Sequence, residues 1–452
     1  MFLLSKLFTL ASDFMAFFIF RCFFAQRASK KERRISIYID FFQIHLFFTP
    51  HPNKTMKKLI YLTLAFAAIF STAQAQDADS TKGSFTFSGY LDTYYMANFN
   101  NPASRSNLGG GVGSEGDPII GNARAFDQRA GQFSLGLVQA KVVHTTRKTE
   151  AVIDLTFGPN ADLGNYGNVF GPLGGATSTS LAIKQAYFTY KATDKLSFTA
   201  GQFGTHIGYE VIDAPINYNY SLSNLFNNGP FYHIGAKAAY AFSDKAALMV
   251  GVVNNIDNLN DNNRAKAVIS QLFVKPAEGW NVYLNWIGSN EAPSQNTPPN
   301  KGKNVEGAYY SLFDLTTSYQ FTEQFLIGIN AATGSEKAGS GLDARTWGGA
   351  AVYSNYAITD GFGLGVRYEY FDNTSGVRFL TNGEGGGTTV NSFTLTSNIT
   401  LADGHFLLKP EFRIDSYPKL SGSGRFQKFD DSNGNFTKNT QSTLGLAAIY
   451  KF

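Results

Sequence analysis

The chain ends on Thr440-Gln441-Ser442-Thr443-Leu444-Gly445-Leu446-Ala447-Ala448-Ile449-Tyr450-Lys451-Phe452, and this stretch decides how the rest is read. Taken alternately, Ser442, Leu444, Leu446, Ala448, Tyr450 and Phe452 form a mostly apolar set. Gln441, Thr443, Gly445, Ala447, Ile449 and Lys451 form a smaller, more polar one. A period of two is that of a β-strand whose side chains alternate between faces, here one greasy and one wetter. In water, a terminal strand of this kind would offer an unpaired edge and an apolar face to other chains. Closing the sheet into a barrel removes the edge, and a membrane solvates the greasy face. The last strand of a soluble β-protein is the competing reading of these residues taken alone.

Upstream, the same alternation recurs in one repeated unit of strand, long polar loop, strand and tight turn. Ser84–Phe99 opens the series, followed by strands at Gln132–His144 and Glu150–Phe157 around a short turn. Later pairs are joined by Ala192-Thr193-Asp194-Lys195, Ser243-Asp244-Lys245, Thr322-Glu323 and Ala402-Asp403-Gly404, residues that accept the backbone angles of tight turns. The tally is sixteen strands, with seven tight turns and eight long loops in strict alternation. Long loops on one rim, short turns on the other and an even count together predict an all-β, antiparallel, up-and-down transmembrane barrel with both termini on the short-turn side.

The strand phases predict which side chains face inward. Phe362, Leu364, Val366, Tyr368 and Tyr370 oppose Arg367 and Glu369, while Phe406, Leu408, Phe412 and Ile414 oppose Lys409, Glu411, Arg413 and Asp415. Ile234, Ala236, Ala238 and Tyr240 oppose His233 and Lys237, and Ile153, Leu155 and Phe157 oppose Asp154. An Arg or Lys aimed at lipid near the bilayer midplane costs roughly 2–4 kcal/mol, so the charged phase must turn inward. Asp154, Lys237, Arg367, Glu369, Lys409, Glu411, Arg413 and Asp415 are therefore candidate pore-lining residues. Two readings stand side by side for the mixed-sign set: a charged constriction that orients solutes, or mutual pairing along the wall.

Tyr309, Tyr310, Tyr319 and Phe321, near strand ends, fit interfacial girdles. Pro410 within a strand implies a bulge or a gap in the hydrogen-bond ladder. The phase is ambiguous in Leu181–Lys191, Thr346–Tyr356 and Gln132–His144; a bulge in the last would turn Gln139 and Lys141 inward.

Residues 56–75 carry a secretory signal: Lys57 and Lys58, the apolar run Leu59–Phe70, and the small-residue site Ala73-Gln74-Ala75. Residues 1–55 are expected to be an upstream gene-model extension, with translation starting at Met56 and the barrel occupying 76–452. A membrane anchor at Phe14–Phe24 is the alternative, but that run is short for a helical span. Ten of the 38 basic residues and three of the 34 acids precede residue 76, which leaves 28 and 31 and a net charge of −3 for the exported part. The basic excess thus belongs to the extension and gives no support to nucleic-acid binding. Cys22, the only cysteine, also precedes the exported part and leaves it no thiolate or disulfide chemistry. No run of eighteen apolar residues follows the signal, which excludes helical spans.

Metal and catalytic readings are weak. His144, His206, His233 and His405 have no second His or Cys at ligand spacing, and no partners mark His233 as part of a Ser-His-Asp arrangement. Oxygen-rich Asn254–Asn263 and Asp430-Asp431-Ser432-Asn433-Gly434 are better read as Asx-turn loops than as calcium sites. No cofactor and no metal are expected.

Several stretches resemble one family. Ser88-Gly89-Tyr90-Leu91-Asp92-Thr93-Tyr94-Tyr95 is similar to its opening motif. The central block Gly201-Gln202-Phe203-Gly204-Thr205-His206-Ile207-Gly208-Tyr209-Glu210, with Asn217-Tyr218-Asn219-Tyr220-Ser221 and Gly229-Pro230-Phe231-Tyr232-His233-Ile234-Gly235, is more telling. Lys409-Pro410-Glu411-Phe412-Arg413-Ile414-Asp415 resembles a late motif. Together they are similar to the OmpL-like β-barrel porins, across essentially all of the exported part. Residues 1–55 have no counterpart there.

The resemblance implies a channel of the bacterial outer membrane, with no catalytic or ligand residues to carry over. Tyr450 and Phe452 resemble the sorting signal by which barrel assembly machinery recognises outer-membrane barrels. The expected function is passive diffusion of small hydrophilic solutes through a water-filled lumen. The alternatives are a non-conducting adhesin or scaffold and, third, an outer-membrane hydrolase. Expected partners are outer-membrane lipids, the assembly machinery and the solutes, with no nucleic acid and with oligomerisation left open.

Overall fold

The computed structural model describes residues 83–112, 118–124, 126–165, 182–259, 261–296 and 299–452. The expected extension, the signal segment and the Gly171–Gly175 part of the second long loop lie outside the described residues.

Sixteen antiparallel strands close into one barrel. They are β1 (Ser84–Asn98), β4 (Phe133–Thr145), β5 (Thr149–Phe157), β6 (Ile183–Lys191), β7 (Leu196–Gly204), β8 (Tyr232–Ser243), β9 (Ala246–Val253) and β10 (Ala267–Ala277). The rest are β11 (Trp280–Ser289), β12 (Tyr309–Gln320), β13 (Phe325–Lys337), β14 (Arg345–Thr359), β15 (Phe362–Asn373), β16 (Thr388–Leu401), β17 (Phe406–Ser416) and β18 (Thr440–Lys451). Within the first long loop, β2 (Gly110–Val112) and β3 (Pro118–Ile120) form a separate ribbon, which the strand pattern did not anticipate. Short helices α1 (Pro159–Gly164) and α2 (Asn224–Asn228) lie in the second and third loops.

Each barrel strand pairs with its neighbours in sequence, and β18 closes on β1 in the register Leu91–Tyr450 through Asn98–Thr443. The last residue joins the ladder too: Gly89 N donates to Phe452 O and Phe452 N to Gly89 O, both at 3.0 Å. The barrel sheet therefore has no free strand edge.

The phases follow the alternation. Leu444, Leu446, Tyr450 and Phe452 are exposed on the outer face, while Gln441, Thr443, Ala447 and Ile449 are buried inside. A register shift between Leu91 and Thr93 against β4 is the anticipated bulge, and Gln139 turns inward to the Asp154 carboxylate. Phe188 and Val352 point outward while Tyr353 and Trp347 are buried, which resolves the phases of β6 and β14. Around Pro410 the β16–β17 ladder loses two pairs between Thr396–Glu411 and Ile399–Leu408 without changing register: a gap, not a bulge. Proline has no N–H to give there. One girdle assignment is corrected. Tyr309 and Phe321 are exposed on the outer surface, but Tyr310 faces the interior and is 3% exposed, because it sits on the opposite phase of β12.

Candidate functional site

The interior is occupied by loops. The third long loop, residues 205–231, enters the barrel and crosses it. Its descent is secured at Gly208, whose N–H donates to Asp314 Oδ1 (3.0 Å), and at His206, whose Nε2 donates to the Trp286 carbonyl (3.1 Å). Burial holds His206 below its ordinary value. The far reach of the loop meets the turn-side half of the opposite wall: Lys409 Nζ donates to the Asn217 carbonyl and Asn398 Nδ2 to the Tyr218 carbonyl (2.9 Å). Close approach is allowed by Gly365, where a Cβ would lie 2.6 Å from Tyr218 O.

On its return the loop is gripped through its backbone. Glu411 accepts from the N–H groups of Tyr220 (2.6 Å) and Ser221 (3.0 Å), and Glu369 from those of Asn224 and Leu225 (2.8 Å each). Arg367 Nη1 donates to the Ser221 carbonyl (2.7 Å) and pairs with Glu210, while Arg413 Nη1 donates to the Leu222 carbonyl (2.8 Å) and its Nε to Asp415 (2.8 Å). Asp415 also holds Arg124 of the first loop, whose Nε lies 2.9 Å from it. Burial alone would lower Arg124, but Asp127 and Asp415 hold it above its ordinary value. Charge-assisted bonds of this kind are about twice as strong as neutral ones.

The structure therefore brings six of the sequence-derived candidates, Arg367, Glu369, Lys409, Glu411, Arg413 and Asp415, onto one inner wall, buried beneath the loop. Asp154 is on β5, four strands round from β17, where Lys184 pairs with it (3.4 Å) and with Asp213 of the third loop. Lys237 stands apart, over the Phe203 ring at 4.3 Å. Tyr450 and Phe452 are on the outer face at the closing seam, and Phe452 lies 5.6 Å from the Phe87 ring.

The loop-side third of the lumen is apolar. Inward residues near the loop ends of the strands, among them Ile269, Ile287, Leu312, Trp347, Phe371 and Val390, pack with Ile207 and Leu225 of the third loop. Leu380, Tyr417 and Phe429 of the seventh and eighth loops join the same core. Between the third loop and β6–β12 lies a cavity of about 510 Å³. Its wall runs from Lys184, Gln185 and Gly204 at the loop ends of β6 and β7 to Tyr283 and Thr316 to Ser318 nearer the turn ends of β11 and β12.

Glu210, Asp213 and the whole inward path of the third loop escaped the sequence reading. The signal available was Leu222, Leu225 and Phe226 close together in a stretch between strands, since exposed loops seldom carry such a cluster. His233 gives its Nδ1 to the Ile256 carbonyl (2.8 Å) and pairs its Nε2 with Thr205 Oγ1 (3.0 Å), so a carbonyl stands where a triad needs a carboxylate. The two Asx-rich loops are internally bonded. Asp431 accepts from Asn433 N and Asn435 N, and Asn255 Oδ1 from Asn258 N. Among the described residues no cluster of three His, Cys, Asp or Glu is placed to hold a metal.

One family and several solved structures are similar to this chain. The family described as "Putative beta-barrel porin-2, OmpL-like" matches residues 84–452. No curated protein matches the chain. Among solved structures, OmpT of Vibrio cholerae is 14% identical, covering 84% of this chain and 100% of its own, with a TM-score of 0.48. The anion-selective porin from Comamonas acidovorans is 10% identical (82% and 100% covered, TM-score 0.48). The outer-membrane channel DcaP of Acinetobacter baumannii is 12% identical (84% and 100%, TM-score 0.49). With a family match spanning every barrel strand and a hydrogen-bonded closure of sixteen strands, the chain belongs to the OmpL-like β-barrel porins of the bacterial outer membrane.

Proposed function

We propose that this porin passes small hydrophilic solutes passively along the β6–β12 side of its lumen, with the third loop as the constriction. The observation that carries this is the cavity of about 510 Å³ left between that loop and the wall, while the β15–β17 side is filled by loop backbone bonded to Glu369, Glu411, Arg367 and Arg413. Sixteen strands enclose enough space for an aqueous path beside an inserted loop. The outer face contacts outer-membrane lipid, and the terminal Tyr450 and Phe452 serve recognition by the barrel assembly machinery.

A non-conducting scaffold is the second reading, favoured by the apolar core that fills the loop-side third of the lumen. Planar-bilayer recording with purified, heat-modifiable barrel separates the two. Discrete conductance steps are expected. A folded barrel that inserts and carries no current would leave the scaffold reading standing.

A further inference from the structure

The wall of the cavity beside the third loop combines aromatic rings with neutral hydrogen-bonding groups. Tyr209, Phe226, Phe231 and Tyr283 line it, each only partly buried. Every one of these rings is backed by another: Tyr209 stacks on Tyr353 at 4.4 Å, Tyr283 lies 4.9 Å from Phe273, and Phe226 and Phe231 are 5.1 Å apart against Phe126. Rings supported in this way are held in place before a ligand arrives, which lowers the ordering cost of binding.

Between the rings stand hydroxyls of Thr316, Ser318 and Tyr283 that engage no protein partner. The charged groups at the cavity are already matched. Lys184 pairs with Asp213, and Glu210 pairs with Arg367. An ion entering here would give up part of its water without meeting a free counter-charge. A neutral molecule with hydroxyls around its rim and C–H groups on its faces loses less, since its rim matches the free hydroxyls and its faces match the rings.

Resting on the porin reading, we propose that this cavity is a binding station for a small neutral saccharide, held between aromatic rings and by hydroxyl groups on β11 and β12. The station selects uncharged sugars over charged analogues of similar size.

Titration calorimetry on the folded barrel in detergent, with maltose and two charged disaccharides of similar size, maltobionate and the β-1,4-linked glucosamine dimer, as probes, tests this. Maltose should bind, and the two charged probes should bind at least about fivefold more weakly. Tyr283→Ala should weaken maltose binding by about fivefold, the loss of one ring contact. Ser318→Ala, a smaller change, should weaken it to a lesser degree in a barrel that keeps its heat-modifiable gel shift. Equal binding of the charged probes overturns the proposal, as does absence of maltose binding to a barrel that conducts. A barrel that binds maltose but carries no current keeps the site and removes the porin reading instead.

Discussion

Glu411 is a carboxylate on a strand, 2% exposed, and it accepts two N–H groups from a loop 190 residues away in the chain. Arg367, fully buried, answers with bonds to a loop carbonyl and to Glu210. Removing one partner of a buried, hydrogen-bonded charge pair typically costs 3–5 kcal/mol, because the other charge is left without compensation. Arg367→Glu combined with Arg413→Glu would set four acids, Glu210, Glu369, Glu411 and Asp415, around two new ones. The expected result is a third loop released from the wall and a lower temperature for loss of the folded gel form, larger than any change in ion selectivity. Should the double variant keep the wild-type unfolding temperature and only shift its reversal potential, the charges face open water.

At the scale of elements, β18 carries two messages in its two phases. The inner phase is small and buried against the loops; the outer phase is apolar and ends in Tyr450 and Phe452. Phe452 also completes the closure, through its backbone bonds to Gly89 and its ring beside Phe87. We expect Phe452→Ala to lower the yield of heat-modifiable barrel in the membrane severalfold while leaving the conductance of each inserted barrel unchanged. The backbone pairs survive the change, and the lost ring lies on the lipid side, away from the lumen. Normal yield from this variant would count against a role in assembly.

For the whole molecule, the barrel wall and its filling are separable. The wall closes through strand-to-strand pairs, and the β7–β8 ladder extends into the third loop only as far as Thr205 and Phe231. Replacing residues 207–228 by a short Gly-Ser turn should therefore leave a closed, heat-modifiable barrel whose single-channel conductance is higher than that of the wild type. An unchanged conductance would mean that the first, seventh and eighth loops set the constriction instead.

The division between what was legible and what was not follows from range. Strand number, alternating phase, closure of β18 on β1 and the inward turn of Arg367, Lys409 and Glu411 could be read from the residues. Each depends on a local period of two, on turn chemistry and on the cost of turning a charge toward lipid. Tyr310 was misplaced where two adjacent aromatics straddle the phases, because composition at a strand end does not say which of them faces lipid. What those inward charges touch was decided only in three dimensions. Glu411 meets Tyr220 across 191 residues and Arg367 meets Glu210 across 157, and no periodicity carries information over such distances. By itself the sequence determined a membrane barrel with a polar interior. The tertiary structure decided that a loop, rather than water, neutralises one side of that interior, because a buried charge must be matched by whichever groups the closed fold brings within hydrogen-bond reach.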